Sequence, residues 1–167
     1  MSTWMVVEDE PDIYDVLLAM FEVWGIEGVA FVDGSEAVAW IEDVDAGRVQ
    51  SELPELAILD IRLPTLSGPI VGERLRQSPK LKDVAIALIT AYRLQPPEED
   101  AVIAQAQADG LLYKPLPRSE EFRVILEAML AKRTKGKVSV PAVEADTKEK
   151  TPLDVSASEK DAEDPEA

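Results

Sequence analysis

Short apolar runs alternate with helical patterns along the first 133 residues of the chain. The runs span residues 3–7, 29–32, 56–59, 84–89 and 111–113, and their starts lie 26, 27, 28 and 27 residues apart. Several runs are almost continuously apolar, as expected for strands buried on both faces of a parallel sheet. The pattern therefore predicts five strands at nearly regular intervals.

The segments between these runs have the periodicity of helices. In the first segment, apolar residues occupy positions 13, 16, 17, 20, 21 and 24, which form one helical face. Capping or turn residues predict helix starts near Asp33, Pro69 and Ser119, and a further helix is predicted over about residues 98–109. Five strand-then-helix units predict an α/β fold with a doubly wound, five-stranded parallel sheet.

The composition of the chain changes near residue 134. Residues 134–167 contain no aromatic residue, and Asp, Glu, Lys, Ser, Thr, Pro and Ala dominate. Such a segment buries too little apolar surface to offset the entropy lost on ordering. We therefore predict a folded domain over residues 1–133 and a disordered acidic tail over residues 134–167.

The charge and the missing residue types exclude several classes of function. The chain has 17 Lys and Arg against 33 Asp and Glu, a net charge of −16, which disfavours binding to DNA or anionic membranes. It has no Cys and no His, which excludes thiol chemistry and zinc sites built on these residues. No apolar run approaches the roughly 20 residues of a membrane span, and the N-terminus lacks a secretory pattern. We expect a soluble, cytoplasmic protein.

Polar residues stand at the carboxyl ends of the predicted strands, where ligands bind in open parallel sheets. Glu8-Asp9-Glu10 follows the first strand, and the others end at Asp33, Asp60, Thr90 and Lys114. Converging carboxylates repel each other unless a cation lies among them, and Mg²⁺ suits a site of oxygen ligands. A metal-bound carboxylate facing a lysine and a hydroxyl suits phosphoryl transfer onto that carboxylate.

Four segments of the chain resemble the receiver domain of two-component response regulators. They are Val6-Val7-Glu8-Asp9-Glu10-Pro11, Leu59-Asp60-Ile61-Arg62-Leu63-Pro64 with Ser67-Gly68, Ile89-Thr90-Ala91, and Lys114-Pro115. They occur in the family's order, each at a strand end, and the similarity covers about residues 3–133. The resemblance implies a flavodoxin-like (βα)5 fold with strand order 2-1-3-4-5.

The resemblance also implies a role for each strand-end residue. Asp60 would be the phosphoacceptor. Thr90 would bond to the phosphoryl group and move toward it on activation, and Lys114 would pair with a phosphoryl oxygen. The Lys114–Pro115 peptide bond would be cis, a state that is rare outside X-Pro bonds.

The same resemblance implies a Mg²⁺ site. Asp9, Asp60 and the backbone carbonyl of Arg62 would be direct ligands, and Glu8 would assist through water. Glu8 stands where the family more often has aspartate, so we expect altered metal affinity rather than its loss.

A second departure concerns the aromatic residue that the family often places three positions before the lysine. Leu111 occupies that position, and Tyr113 stands next to the lysine instead. The usual coupling between threonine movement and aromatic rotation is therefore not expected. Tyr92 and the side chain of Arg62 are expected to flank the site and slow loss of the phosphoryl group.

The function implied is that of a stand-alone receiver rather than a turnover enzyme. It would accept a phosphoryl group from a histidine kinase or phosphotransfer protein. Output would follow through a downstream protein bound at about residues 98–131 or through a phosphorelay, without a DNA-binding domain, and a homodimer is an open option. The phosphodonor is expected to dock on the first helix, with Ile13, Tyr14 and Leu17 as candidate contacts.

Two other classes of function stay open. The first is a pseudo-receiver that is never phosphorylated and acts as a constitutive interaction module, which Leu111 favours. The second is a hydrolase that uses an aspartyl phosphate. Such an enzyme needs an acid–base group near the nucleophile and an insert over the substrate, whereas Arg62 stands two residues after Asp60 and no insert is evident.

Overall fold

Five parallel strands form one sheet, in the order β2-β1-β3-β4-β5. The structure is a computed structural model that describes the backbone of residues 1–147 and the side chains of residues 1–136. The strands are β1 Thr3–Val7, β2 Glu27–Phe31, β3 Leu56–Asp60, β4 Ala85–Thr90 and β5 Gly110–Tyr113. The helices are α1 Pro11–Trp24, α2 Gly34–Asp45, α3 Gly68–Gln77, α4 Pro96–Ala106 and α5 Ser119–Thr147. The predicted fold class and strand order are confirmed.

The three inner strands supply the core on both faces of the sheet. Every residue of β1, β3 and β4 is buried. Alternate side chains of a strand point to opposite faces. One face packs against α2 and α3 and carries Met5, Val7, Ala57, Leu59, Ile86 and Leu88. The other packs against α1 and the first part of α5 and carries Trp4, Val6, Leu56, Ile58, Ala85, Ala87 and Ile89. The sequences of these strands are continuously apolar because helices cover both faces of the sheet.

The ends of α4 and α5 differ from the sequence prediction for local reasons. α4 begins at Pro96 rather than near residue 98, because proline suits the first helical positions, where the missing N–H is not needed. It ends at Ala106 because Gln107 adopts a left-handed conformation with φ of 49°. In α5 the Phe122 amide donates to the Arg118 carbonyl, so Arg118 caps the helix. The Ser119 hydroxyl instead accepts a hydrogen bond from the Trp24 indole.

The backbone of α5 is helical through Thr147, past the boundary predicted at residue 133. Extending an existing helix costs less than starting one, so a segment with little helical periodicity can continue it. Residues 1–134 form one compact unit. Residues 148–167 lie outside the described residues, and their disorder stays a prediction. Among the described helices, none has the length and apolar content to cross a membrane.

Candidate functional site

The carboxyl ends of β1, β3 and β5 bring one ammonium group against three carboxylates. Lys114 Nζ lies 2.6 Å from Glu10 Oε1, 2.7 Å from Asp60 Oδ2 and 3.0 Å from Glu8 Oε1. The first two contacts are hydrogen bonds, and the third is an ion pair without hydrogen-bond geometry. Because β4 lies between β3 and β5, the lysine side chain crosses the end of β4 to reach Asp60.

The charge state of Lys114 follows from these contacts. Its side chain is only 7% exposed, and burial by itself lowers the pKa of an ammonium. The hydrogen bonds that Lys114 donates to Asp60 and Glu10, together with its ion pair with Glu8, outweigh that effect and raise the pKa of Lys114 above its usual value. The lysine therefore stays positively charged beside Asp60.

Asp60, the last residue of β3, has a partner on each carboxylate oxygen. Its Oδ1 accepts a hydrogen bond from the Arg62 amide at 3.0 Å, and its Oδ2 accepts the one from Lys114. The residue is buried, with 5% of its surface exposed. The first residue of α3 packs closely against its backbone, since a Cβ added to Gly68 would lie 2.2 Å from the Asp60 carbonyl oxygen. The backbone that follows Asp60 is thus in close contact with the start of α3.

Glu8, Asp9 and Asp60 form a group that fits a hard divalent cation. One carboxylate oxygen from each lies within 4.8 Å of the others. Mg²⁺ binds oxygen at about 2.1 Å, so two oxygens on one ion lie roughly 3–4 Å apart. Glu8 and Asp60 are buried, whereas Asp9 is exposed. A small movement of these side chains would therefore bring them into one coordination sphere.

The carboxyl group of Glu8 is held in an environment that disfavours its charge. Burial, and then the neighbouring carboxyl group of Asp60, raise the pKa of Glu8 from 4.5 to about 7. The Glu10 amide donates to Glu8 Oε2 at 3.1 Å and acts in the opposite direction. One ammonium does not balance the surrounding carboxylates, which is a second reason to expect a cation here.

Thr90 ends β4 and is completely buried. Its Oγ1 accepts a hydrogen bond from the Tyr92 amide at 3.1 Å, and its carbonyl accepts one from the Lys114 amide at 2.8 Å. The threonine thus joins the β4–α4 loop to the strand end that carries the lysine.

Aromatic and arginine side chains from the β3–α3 loop, the β4–α4 loop and β5 stack at the rim of the site. The Arg62 guanidinium lies 3.9 Å above the ring of Tyr92, and that of Arg93 lies 4.3 Å above the ring of Tyr113. The Tyr113 hydroxyl donates a hydrogen bond to Glu99 on α4, which raises the pKa of Tyr113. Leu111, by contrast, packs against the core.

The structure thus brings together Glu8, Asp9, Asp60, Thr90, Lys114 and the Arg62 backbone from the sequence prediction, and the Lys114–Pro115 bond is cis. Asp33 is not part of this group. Its side chain caps α2 and accepts a hydrogen bond from the Thr65 hydroxyl. The sequence reasoning did not assign Glu10 as a partner of Lys114. The signal available was its place as the third carboxylate after β1.

One predicted docking contact is wrong. Leu17 is completely buried and packs in the core beside Phe21, so it cannot touch a partner in the folded protein. Ile13 and Tyr14 are half-buried, and Val16 is 45% exposed. The accessible apolar surface of α1 therefore includes Val16 rather than Leu17.

Comparison with known proteins identifies the family of this arrangement. A model of the response regulator receiver domain matches residues 4–127. The phosphate regulon transcriptional regulatory protein PhoB of Rhizobium meliloti is 35% identical over 125 residues, which cover 75% of this chain and 50% of that protein. The polar-differentiation response regulator DivK of Brucella anthropi is 28% identical over 112 residues, which cover 67% of this chain and 83% of that protein. The chain spans about half the length of the transcriptional regulators that it matches.

A solved receiver domain of similar fold holds a metal ion. It is the receiver domain of a sensor histidine kinase from Pseudomonas aeruginosa PAO1, with a magnesium ion coordinated in its active site cleft. It is 26% identical, has a TM-score of 0.64, and covers 78% of this chain and 98% of that one.

Proposed function

The chain belongs to the response regulator receiver domain family, and we propose that it accepts a phosphoryl group on Asp60 from a phosphohistidine of a histidine kinase or phosphotransfer protein. The observation that carries this proposal is the pairing of the buried Asp60 with Lys114 inside a group of carboxylates. A lysine in this position serves a reaction that brings additional negative charge to the aspartate.

The transfer requires no acid–base group from this chain. A carboxylate oxygen of Asp60 attacks the phosphorus, the P–N bond of the phosphohistidine breaks, and its imidazole nitrogen keeps the electron pair. The product is an acyl phosphate on Asp60. Lys114 then pairs with an oxygen of the transferred group, since its ammonium already lies 2.7 Å from the aspartate. Catalysis of this kind rests on positioning and charge neutralisation.

We propose that Mg²⁺ is held by Asp9, Asp60 and the Arg62 carbonyl, with Glu8 assisting. The spacing of the three carboxylates and the environment of Glu8 support this site. When bound, the ion neutralises the carboxylates and the incoming phosphoryl oxygens. The magnesium ion in the Pseudomonas aeruginosa receiver domain supports the same choice of metal.

Output is proposed to occur through protein binding or a phosphorelay in the cytoplasm, and not through turnover of an external substrate. A phosphoryl group adds a charge of about −1.5 to −2 at neutral pH, which biases the surface around it. The surface proposed for a downstream partner is about residues 98–131. The phosphodonor is proposed to contact α1 at Ile13 and Tyr14, and the exposed Val16 extends that surface.

The test uses acetyl phosphate with Mg²⁺ on the full chain, followed by intact mass measurement. We expect one added phosphoryl group in the wild type and none in Asp60→Asn. The exposed Asp15→Asn on α1 is the matched control and should be labelled like the wild type. An unlabelled wild-type protein that also fails to bind beryllofluoride would refute the proposal and favour the constitutive pseudo-receiver.

A further inference from the structure

Tyr113 connects the site to α4 through two contacts of its side chain. It is the last residue of β5 and directly precedes Lys114. Its hydroxyl donates a 2.5 Å hydrogen bond to Glu99 Oε2 in the first turn of α4. The Arg93 guanidinium, from the β4–α4 loop, lies 4.3 Å above its ring. Strand, loop and helix therefore meet at this one side chain.

One route from Asp60 to Tyr113 runs along β5. Both oxygens of Asp60 already accept hydrogen bonds, one from the Arg62 amide and one from Lys114. A phosphorus atom bonded to either oxygen takes one lone pair and most of the negative charge from that oxygen, so the hydrogen bond there weakens or moves to a phosphoryl oxygen. If Lys114 moves, the peptide that joins it to Tyr113 is affected directly.

The other route runs through the β4–α4 loop. The Arg62 side chain stacks on Tyr92 at 3.9 Å, and the Tyr92 amide bonds to Thr90 Oγ1 at 3.1 Å. Arg93 follows Tyr92 and stacks on Tyr113. If Arg62 moves, or if the Thr90 hydroxyl turns toward a new anion, the loop that carries Arg93 is affected. Both displacements therefore lead to the same tyrosine.

We propose that Tyr113 transmits the state of Asp60 to α4, and that its hydrogen bond to Glu99 breaks when Asp60 carries a phosphoryl group. This inference rests on the proposed function and deepens it. Tyr113 acts as a positioning residue, because it touches α4 and the loop rather than the reacting atoms. Breaking the bond frees a carboxylate in the first turn of α4, on the surface proposed for the downstream partner.

By thermodynamic linkage, the state of the Tyr113–Glu99 bond and the affinity of the site at Asp60 for a phosphoryl mimic affect each other, and this coupling can be measured. If binding at Asp60 must break the Tyr113–Glu99 bond, a protein that lacks the bond binds the phosphoryl mimic more tightly. The gain expected for Tyr113→Phe is about 5- to 10-fold in affinity for beryllofluoride with Mg²⁺, at the lower end of usual allosteric couplings. Glu99→Gln weakens the same bond from the other side and is expected to shift affinity in the same direction.

The experiment is a titration of the isotopically labelled full chain with beryllofluoride and Mg²⁺, followed by amide NMR. In the wild type, we expect shifts at Asp60 and Lys114 and along α4. In Tyr113→Phe without the mimic, the α4 amides are expected to lie already near their mimic-bound positions, and the titration is expected to move mainly the site amides. Asp100→Asn, an exposed neutralisation on the same helix, is the control and should behave like the wild type.

Each other outcome overturns the inference and shows which step failed. Equal α4 shifts and equal affinity in the wild type and Tyr113→Phe would mean that Tyr113 transmits nothing, while the proposed function stands. Weaker binding of beryllofluoride by Tyr113→Phe would mean that the Tyr113–Glu99 bond stabilises the mimic-bound form, opposite to the proposal. No saturable shift at Asp60 and Lys114 in the wild type would refute the proposed function itself, and this inference with it.

Discussion

Replacing Glu8 by Gln should stabilise the metal-free protein at alkaline pH. Glu8 is completely buried, and its pKa is raised from 4.5 to about 7 by burial and by the neighbouring Asp60. The folded state therefore holds the proton more tightly than the unfolded state does. The contribution of Glu8 to the free energy of unfolding is present in full below pH 4.5 and is lost as the pH rises through 7.

The size of the effect follows from the two pKa values. Their difference corresponds to about 3 kcal/mol, which ionised Glu8 costs the folded state above pH 7. Glutamine stays neutral, has nearly the same shape, and its amide oxygen can still accept the hydrogen bond from the Glu10 amide. Glu8→Gln should thus be more stable than the wild type by about 3 kcal/mol at pH 8 and by under about 1 kcal/mol at pH 5.

Urea unfolding in EDTA at several pH values measures this difference. The buried Trp4 and Trp24 provide the fluorescence signal. Glu42→Gln removes a negative charge from an exposed position on α2. It controls for the general gain in stability that comes from lowering the net negative charge. Saturating Mg²⁺ at pH 8 should stabilise the wild type more than Glu8→Gln, since an ion bound only to the folded state adds to its stability. A Glu8→Gln protein no more stable than the wild type at pH 8 would refute this reasoning.

Three further substitutions test other contacts. Leu17→Ala should lower the free energy of unfolding by about 2–5 kcal/mol in urea unfolding, because it leaves a cavity in the core. Gly68→Ala should weaken beryllofluoride binding about tenfold or more in the NMR titration, because the added Cβ would lie 2.2 Å from the Asp60 carbonyl oxygen. Arg62→Ala should speed loss of the phosphoryl group several-fold in a time course of phosphoprotein mass, since it uncovers the site beside Tyr92.

Each of these has a control and an opposing outcome. Val16→Ala, on the exposed surface of α1, should change the free energy of unfolding by less than about 0.5 kcal/mol. A loss as large as that of Leu17→Ala would contradict the argument from the burial of Leu17. Gly136→Ala, where an added Cβ meets nothing within 4 Å, should leave beryllofluoride binding intact. Arg48→Ala, whose guanidinium pairs with Asp43 on the surface, should not alter phosphoryl lifetime, and an unchanged lifetime in Arg62→Ala would remove its shielding role.

The resemblance carried by the strand-end segments predicted the members of the site but not their exact contacts. Asp60 and Lys114 could be paired because parallel strands end at one edge of a sheet. The position of Glu10 after β1 placed it at the same edge of the sheet. Which of the three carboxylates there reaches Lys114 was not predicted, because the contact depends on how far each side chain extends. The same limit applies to the bond between Tyr113 and Glu99.

Burial on α1 shows how a periodic pattern can predict the helix and still mislead about the surface. Val16 and Leu17 are adjacent and both apolar, so the pattern includes both in one face. Only the position of the helix on the sheet decides that Leu17 is completely buried while Val16 is 45% exposed. A sequence pattern gives the direction of an apolar face but not its edges.

The order of apolar and polar residues along the chain is enough to place the five strands, the helices between them and the polar residue at each strand end. These features are local, since apolar runs and capping residues act within a few positions of the chain. Three other features depend on how the whole domain packs: Glu8 is buried beside Asp60, Lys114 crosses β4, and Tyr113 bonds to α4. Desolvation and ion pairing depend on distances between residues far apart in the chain, and the packing of helices on the sheet sets those distances.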